Sequence, residues 1–452
     1  MRRWLSRAPA IAGLLFLWLL AACIVWLLGG NPGYFSHDEL QWAVYAEQPT
    51  PPIAADWFAI GQFQYRPLTF HLWMLLSRLL FDTPRLFHVA WLLWGAGNAV
   101  LLHHVLRRFS LPTMIAATAS LLFWVNPYAV YVHAWVGTLG DLLWVTAALL
   151  IALIVQRISK EDGLPGPQLA VIALLTLAAL LAKEAALSIP SLLFVAWLFS
   201  GQRRWRDAFL AAAAVGGAYL LLRFGVLTDS AREGSGYGID LAGVPLRFVD
   251  YQSFPFFPWA EEINVMSVFS YERQRNMAIL ALLIWLVALS GPRSWAAWLL
   301  LSFAALGPAL LIGSISNQYG YGFSAALIGL GAWCWQGAGI LRRIVMVFGA
   351  TIFCWHAIGV ARQMREVGDL QAVYSSSLAA TVDAARATGR KPLGLRADCD
   401  NQRWVYQRLS NGIPSYDGVA IGSRVRVLAP EDAGSGMIET RIDCEGRVYL
   451  PD

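Results

Sequence analysis

The sequence predicts an all-α polytopic membrane protein that carries a small α+β domain at its C-terminal end. Of its 452 residues, 57% are hydrophobic and only 14% are charged, and the mean hydropathy is +0.52. A soluble domain would carry about 25% charged residues. Apolar runs of about 18 or more residues, the length that crosses a bilayer, recur along most of the chain. The 21 Trp residues fit this class, because Trp collects at membrane–water interfaces.

We predict eleven transmembrane helices, of which the first is an uncleaved N-terminal span. Its apolar run continues through residues 24–28, beyond the length of a signal-peptide core. Cys23, in the sequence "LAAC", is therefore interpreted as part of the helix and not as a lipoprotein cleavage site. The predicted spans are 8–29, 84–106, 112–132, 136–156, 168–182, 185–200, 207–227, 276–290, 294–313, 321–338 and 343–361.

The segment 67–81 is apolar but only about 22 Å long as a helix, which is too short to cross comfortably. If it does not cross, the basic loops at 107–108 and 203–206 lie on the same side as Arg2 and Arg3. The positive-inside rule makes that side cytoplasmic. We therefore expect 67–81 to be an interfacial helix in the first outer loop, with the N-terminus cytoplasmic and the C-terminal domain outside.

Two domains are predicted, a transmembrane domain over 1–362 and a small extracytoplasmic domain over 363–452. In the second, "RVRVLA" and "RVYL" have the composition of short strands between Gly, Pro, Asn and Asp residues. Its Cys399 and Cys444 are the only cysteines outside the predicted spans. An oxidising compartment would let them form a disulfide, and two free thiols are the alternative.

Three titratable side chains, His37, Asp38 and Glu39, stand where the chain leaves the first span. A transporter more often places its acids at the bilayer midplane. A carboxylate at the interface could instead remove a proton from a hydroxyl group, and partial burial would make it a better base. The structural alternative is an ordinary helix start, which Ser36 would cap and the two acids would stabilise.

Two cations are predicted at the outer interface, the level of a lipid phosphate. Arg66 precedes the interfacial helix, and Lys183 with Glu184 follows the span 168–182. Arginine binds phosphate oxygens through its fork of N–H groups, and lysine supplies a compact charge. The alternatives are a snorkelling arginine and a structural Lys183–Glu184 ion pair.

The segment "YRPLTFHLWMLLSRLLFDTPRLFHVAWLLWGAGNAVLLHHVLRRF" (65–109) resembles the transmembrane O-mannosyltransferase-like proteins that often carry tetratricopeptide repeats. More broadly it is similar to the GT-C superfamily of polyprenyl-phosphate-sugar-dependent glycosyltransferases. "LLFWVNPYAVYVHAWVGTLGDLLWV", "LLAKEAALSIPSLL" and "NQYGYGFSAALIGL" resemble later motifs of the family, in the same order, so the resemblance covers 30 to about 335. The chain departs from the pattern at Asn126, where the family often has His, and at Gln318, where it often has Arg. It has no helical repeats after residue 363.

The resemblance implies a sugar donor on a polyprenyl phosphate, presented from the outer leaflet. Arg66 and Lys183 would bind the donor phosphate, and Asp38 would deprotonate the acceptor hydroxyl for inverting displacement, with Glu39 as the alternative base. The remaining polar residues of these motifs would line the cleft: His37, Tyr65, His133, Asp141, Glu184, Gln318 and Tyr319. The outer loop 228–275 could close over this cleft, or its aromatic residues could anchor it at the interface.

The implied partners are the lipid-linked sugar, membrane lipids and an acceptor that is a glycan, a lipid or a protein, in the inner membrane and envelope of a bacterium. No cofactor is expected. A divalent cation is disfavoured because adjacent helical residues such as His37, Asp38 and Glu39 point in different directions. A nucleotide sugar is disfavoured by the lack of a Gly-rich phosphate loop, and nucleic acid is not needed to explain the net charge of +5. The alternatives are a transporter or flippase of lipid-linked intermediates and a non-catalytic membrane scaffold.

Overall fold

The structure is a computed structural model that describes residues 8–160, 162–229, 238–257, 272–289, 291–388, 392–399, 403–410, 412–416, 418–429, 432 and 436–450. This part of the chain is mostly helical and ends in a small sheet. Arg2 and Arg3, and residues 230–237 and 258–271 of the predicted outer loop, lie outside it. The longer helices are α1 (Ala8–Gly29), α2 (His37–Glu47), α3 (Pro67–Leu80), α4 (Pro84–Arg108), α5 (Thr113–Trp124), α6 (Pro127–Ala134), α7 (Leu139–Arg157), α8 (Gly166–Ala182), α9 (Ser188–Ser200), α10 (Arg203–Leu227), α11 (Val244–Ser253), α12 (Glu272–Leu289), α13 (Pro292–Leu306), α14 (Gly320–Gln336), α15 (Ile340–Thr388) and α16 (Arg403–Ser410).

The apolar helices identify a multi-pass membrane protein, and each of the eleven predicted spans overlaps at least one helix. Within the described residues, four helical segments are long and apolar enough to cross a bilayer, and α5 with α6 forms a fifth if the two count as one broken span. The helices α8, α9 and α12 are apolar but shorter. Eleven crossings therefore remain a prediction. The four segments are Pro84–Arg108, Val136–Arg157, Arg203–Leu227 and Ile340–Ala385.

The predicted span 112–132 is not one straight helix, because it bends by 53° between α5 and α6. Pro127 lacks the N–H that would continue the backbone ladder, and it restricts the residue before it to extended conformations. Asn126 begins α6 instead, where its side-chain oxygen accepts hydrogen bonds from the backbone N–H groups of Tyr128 (3.0 Å) and Ala129 (3.2 Å).

The segment 67–81 forms a 14-residue helix, α3, that is amphipathic. Thr69, Phe70, Trp73 and Ser77 are buried at helical spacing, whereas Leu79 on the other side is exposed. Pro67 starts the helix at its first position, where a missing N–H costs nothing. The helix therefore packs one face on the bundle, which fits the interfacial position predicted for it.

The helix α15 is longer than the sequence predicted, since it continues past the span 343–361 as one helix of 49 residues. Its second half keeps an apolar stripe, with Met364, Tyr374 and Leu378 fully buried. The predicted domain boundary between residues 362 and 363 stays a prediction, and this helix runs across it.

The strands expected in the C-terminal segment are present, and four strands of this segment form a small mixed sheet. The strands are β1 (Leu393–Ala397), β2 (Ser415–Tyr416), β3 (Val419–Ala420), β4 (Val425–Val427), β5 (Ile438–Ile442) and β6 (Val448–Tyr449). The sheet has the order β4-β1-β5-β6, in which β1 pairs in parallel with β4 and β5, and β6 runs antiparallel to β5. The disulfide predicted between Cys399 and Cys444 is present, with Cα atoms 5.4 Å apart.

The C-terminal segment packs on the chain between α1 and α3. The backbone N–H of Tyr34 donates to the side-chain oxygen of Gln371 on α15 (2.7 Å). The side-chain amide of Gln41 on α2 donates to the carbonyl of Gly412 (2.5 Å). Two separate parts of the C-terminal segment thus hold the chain on either side of Asp38.

Candidate functional site

The helix α2 places Asp38 and Glu39 in its first turn, on different sides of the helix. Ser36 is its N-cap, in extended conformation, and its hydroxyl accepts a hydrogen bond from the backbone N–H of Asp38 (3.3 Å). Ser36 therefore caps the helix, as the structural alternative for this motif predicted. The Asp38 side chain is 37% exposed and lies 3.2 Å from the His37 ring nitrogen Nε2, whereas Glu39 is 1% exposed.

A buried ion pair joins the Lys183 ammonium to the Asp141 carboxylate. Their side chains are 7% and 1% exposed. Lys183 follows the end of α8, and Asp141 lies in the first turn of α7. The two helices approach closely at Gly140, where a Cβ atom would lie 2.9 Å from the carbonyl oxygen of Ala182. The Lys183 ammonium also lies 4.9 Å from the centre of the Tyr319 ring, a cation–π contact.

A second group of charges lies beside this pair. The Arg66 guanidinium donates from Nε to Glu184 Oε2 at 2.7 Å, and Arg223 Nη2 lies 4.0 Å from the other oxygen of Glu184. Arg223 is 1% exposed and contacts the rings of Tyr65 and Tyr219 at 5.2 and 5.5 Å. Glu184 is therefore shared by two arginines, and it does not form the ion pair with Lys183 that was the sequence-based alternative.

These groups surround a polar cavity of about 90 Å³ at one end of the bundle. Asp38, Arg66 and Lys183 all lie in its wall, together with Asp141, although they come from distant parts of the chain. The other lining residues are Trp42, Gln64, Thr69, Phe70, Trp73, Trp135, Gly137, Thr138, Gly140, Ala182, Gln318 and Tyr319.

The charges around the cavity are nearly balanced. The three cations Arg66, Lys183 and Arg223 face two carboxylates, Asp141 and Glu184. This group alone has one positive charge in excess, and the Asp38 carboxylate also lies in the cavity wall. The excess positive charge favours binding of a further anion beside the cations.

Some residues predicted to line the cleft lie elsewhere. His133 is fully buried, 5.5 Å from the ring of Trp124 and 5.7 Å from that of Tyr321. Tyr65 and Glu184 are not in the cavity wall. The Tyr65 ring contacts Arg223, and the Glu184 carboxylate contacts Arg66 and Arg223. His37 contacts Asp38 at the rim. Asp141, Gln318 and Tyr319 are in the wall itself.

Glu39 is buried and does not line the cavity. Neither of its carboxyl oxygens has a hydrogen-bond partner among the described residues. Burial, together with the neighbouring Asp38 charge, raises the pKa of this carboxyl to about 8, and Arg408 and Trp135 lower it. Because burial disfavours the charged carboxylate, Glu39 is suited to support the site and not to act as a base within it.

Sequence reasoning missed Arg223 and Trp135. Arg223 lies within the apolar run "AYLLLRFGVL" of α10, and an isolated charge inside a membrane helix is a signal of a functional or paired residue. Trp135 follows α6 in a short turn, and the sequence offers no signal that separates it from the other 20 tryptophans. The departures from the family pattern also have local explanations: Asn126 caps α6, and Gln318 bonds to the Ser316 hydroxyl.

The described residues contain no group of three or more His, Cys, Asp or Glu side chains arranged to hold a metal ion. A larger groove of about 360 Å³ lies between α1, α5, α12, α14 and α15. Its wall contains no Asp, Glu, Lys, Arg or His residue, and the side chains of Trp285, Leu327 and Phe353 are typical of it. This groove offers mainly apolar contact, whereas the ionisable side chains line the polar cavity.

Fold and cavity together define a multi-pass membrane protein with a mixed-charge pocket at one end of its helical bundle. The chain matches no known protein family and no curated protein by sequence. It is similar to the crystal structure of ArnT from Cupriavidus metallidurans bound to undecaprenyl phosphate, with a TM-score of 0.47 and 14% sequence identity over 92% of this chain and 86% of that chain.

Proposed function

We propose that this chain is an integral membrane glycosyltransferase of the GT-C type, which moves a sugar from a polyprenyl-phosphate donor to an acceptor hydroxyl. The observation that carries the proposal is the convergence of Asp38, Arg66 and Lys183 on one cavity of about 90 Å³. These are the residues whose chemical types suit a base and two phosphate ligands. A cavity of this size would hold the phosphate group, with the sugar and the acceptor toward Asp38 at the rim.

The two cations in the wall would bind the phosphate of the donor. Arg66 uses Nε on Glu184, which leaves its other N–H groups for phosphate oxygens. Arg223 supports this role because it neutralises Glu184 from behind the wall. Lys183 would share its ammonium between Asp141 and the phosphate. The fixed positive charges would stabilise the second negative charge that develops on the phosphate as it leaves.

Asp38 would act as the general base. Its carboxylate takes the proton of the acceptor hydroxyl, the acceptor oxygen bonds to the anomeric carbon, and the bond from that carbon to the phosphate oxygen breaks. The bonding electron pair stays on the phosphate oxygen. Attack from the side opposite the leaving phosphate inverts the anomeric configuration. We assign the base to Asp38 over Glu39, since Asp38 lines the cavity and Glu39 is enclosed.

We place the protein in the inner membrane of a bacterium, with its N-terminus in the cytoplasm and the cavity outside. The disulfide between Cys399 and Cys444 supports this orientation, because disulfides persist in oxidising compartments. The small domain that carries it would help to select an acceptor glycan, lipid or protein.

The experiment is to delete the gene, to identify by mass spectrometry the glycan whose mass changes, and to restore it with variants. Asp38→Asn should abolish the sugar addition at wild-type protein abundance, because the amide cannot accept the proton. Glu47→Gln is the matched control, since Glu47 is an exposed acid on the same helix. Normal product from Asp38→Asn would overturn the proposal. That result would favour the alternative of a non-catalytic membrane scaffold. Accumulation of an untransferred lipid-linked sugar on the cytoplasmic side of the membrane in the deletion strain would favour the alternative of a flippase.

A further inference from the structure

An arginine of the C-terminal segment, Arg408 on α16, contacts two aromatic residues beside the site. Its guanidinium carbon lies 4.4 Å from the centre of the Phe35 ring and 4.9 Å from that of Trp135. The two rings are themselves in edge-to-face contact, with centres 5.5 Å apart. Arginine stacks well on aromatic faces, and such contacts gain strength where water is excluded.

One of these rings, Trp135, lies in the cavity wall, and the other, Phe35, precedes the helix that carries Asp38. Phe35 immediately precedes the Ser36 cap of α2, so its position sets the start of the helix on which Asp38 lies. Trp135 lines the cavity together with Asp38. Arg408 therefore holds together two cavity-forming elements that are about a hundred residues apart in the chain.

The Arg408 guanidinium also interacts electrostatically with the buried carboxyl of Glu39. The other titratable groups that interact with this carboxyl are Asp38 on the same helix turn, Tyr34 before it and Tyr131 on α6. Among these groups Arg408 is the cation, so it favours the charged form of Glu39, which burial and the Asp38 charge disfavour.

We propose that Arg408 is a positioning residue of the active site, by which the C-terminal segment fixes Asp38 in the cavity wall. The inference rests on the proposed function for the role of Asp38. It makes the C-terminal segment part of the transferase site and not only a domain for acceptor selection. The contacts of Gln41 with Gly412 and of Tyr34 with Gln371 support the same arrangement, because they dock the segment on both sides of α2.

The first test measures amide hydrogen exchange by mass spectrometry on the purified full chain in detergent. Arg408→Gln should exchange about tenfold faster over residues 33–47, since the two cation–π contacts are lost, while the helix 139–157 exchanges as in the wild type. The matched control is Arg424→Gln, which removes an exposed arginine of the same segment. Wild-type exchange over 33–47 would overturn the proposal, and so would faster exchange over the whole chain, which indicates a role in general stability.

The second test measures the initial transfer rate against pH in membranes, with the acceptor identified from the deletion strain. Arg408→Gln should lower kcat about tenfold and leave the donor KM unchanged, because the phosphate ligands are intact. The rate–pH profile of the wild type should have an inflection near pH 8 from Glu39, and this inflection should move to higher pH in Arg408→Gln. It should be absent in Glu39→Gln and unchanged in Arg408→Lys. An unchanged rate and profile in Arg408→Gln would overturn the proposal.

The two tests separate this inference from the proposed function. Hydrogen exchange needs no substrate, so a local effect over 33–47 stands even if Asp38→Asn retains full transfer. In that case the contact holds α2 but the role of Asp38 fails. If Arg408→Gln is poorly produced, Arg408→Lys keeps the charge without the planar stacking, and its exchange over 33–47 should still exceed that of the wild type.

Discussion

The buried pair of Lys183 and Asp141 makes a quantitative prediction about stability that can be separated from catalysis. With exposures of 7% and 1%, neither charge can be solvated when its partner is removed. Removing one partner of a buried pair costs about 3–5 kcal/mol, because the other charge is left uncompensated. We therefore expect Lys183→Met and Asp141→Asn each to lower the free energy of unfolding by about that amount.

The double variant should recover most of this loss. Replacing both charges removes the uncompensated group, and well-packed neutral pairs are often as stable as buried ion pairs. We expect Lys183→Met/Asp141→Asn to unfold within about 2 kcal/mol of the wild type, which gives a coupling energy of a few kcal/mol in the cycle. Transfer should remain absent, because the phosphate ligand is gone.

The assay is equilibrium unfolding in mixed micelles, followed by circular dichroism. The control is Asp369→Asn, which removes an exposed i,i+4 partner of Arg365 and should cost no more than about 0.5 kcal/mol. If Lys183→Met unfolds within about 1 kcal/mol of the wild type, or if the two single losses simply add, the pair does not hold the cavity wall as argued.

Three further outcomes are expected. Arg223→Leu should abolish binding of undecaprenyl phosphate to the purified protein, because the Glu184 carboxylate then interacts with Arg66 alone and competes with the phosphate for that guanidinium. Arg223→Lys should keep part of the binding, and retained binding in Arg223→Leu would contradict this reasoning. Replacing Cys399 and Cys444 by Ser should destabilise the C-terminal segment by about 2–4 kcal/mol, as the bond closes a loop with a sequence separation of 45; limited proteolysis should detect this, and unchanged protection would refute it. Glu39 has its pKa raised to about 8, so the folded form binds more protons than the unfolded form, and wild-type stability should fall as the pH rises from about 4.5 to about 8. Glu39→Gln should lack this loss in pH-dependent thermal unfolding, and an identical slope would contradict it.

The membrane class and the helix positions could be predicted because apolar length is a direct physical requirement of the bilayer. The C-terminal strands and the disulfide could also be predicted, from composition and from two cysteines outside the spans. The extent of α15 could not. Its second half is too polar for a membrane helix, and its buried stripe through Met364 and Tyr374 requires knowledge of what packs on it.

The candidate site could likewise be predicted only in part. The types and order of Asp38, Arg66 and Lys183 drew attention to one end of the bundle, and the structure brings them to one cavity. Their counterions could not be assigned, since Lys183 pairs with Asp141 across two helices and not with its neighbour Glu184. The contacts of Arg408 were also inaccessible, because they depend on how a separate segment docks on α2.

The most direct test is a cryo-electron-microscopy structure of the purified protein with undecaprenyl phosphate. The account predicts phosphate density in the polar cavity, within about 4 Å of both the Arg66 guanidinium and the Lys183 ammonium, a distance typical of a charge-assisted contact. Phosphate density outside that cavity, with Arg66 and Lys183 still bound only to Glu184 and Asp141, would contradict it.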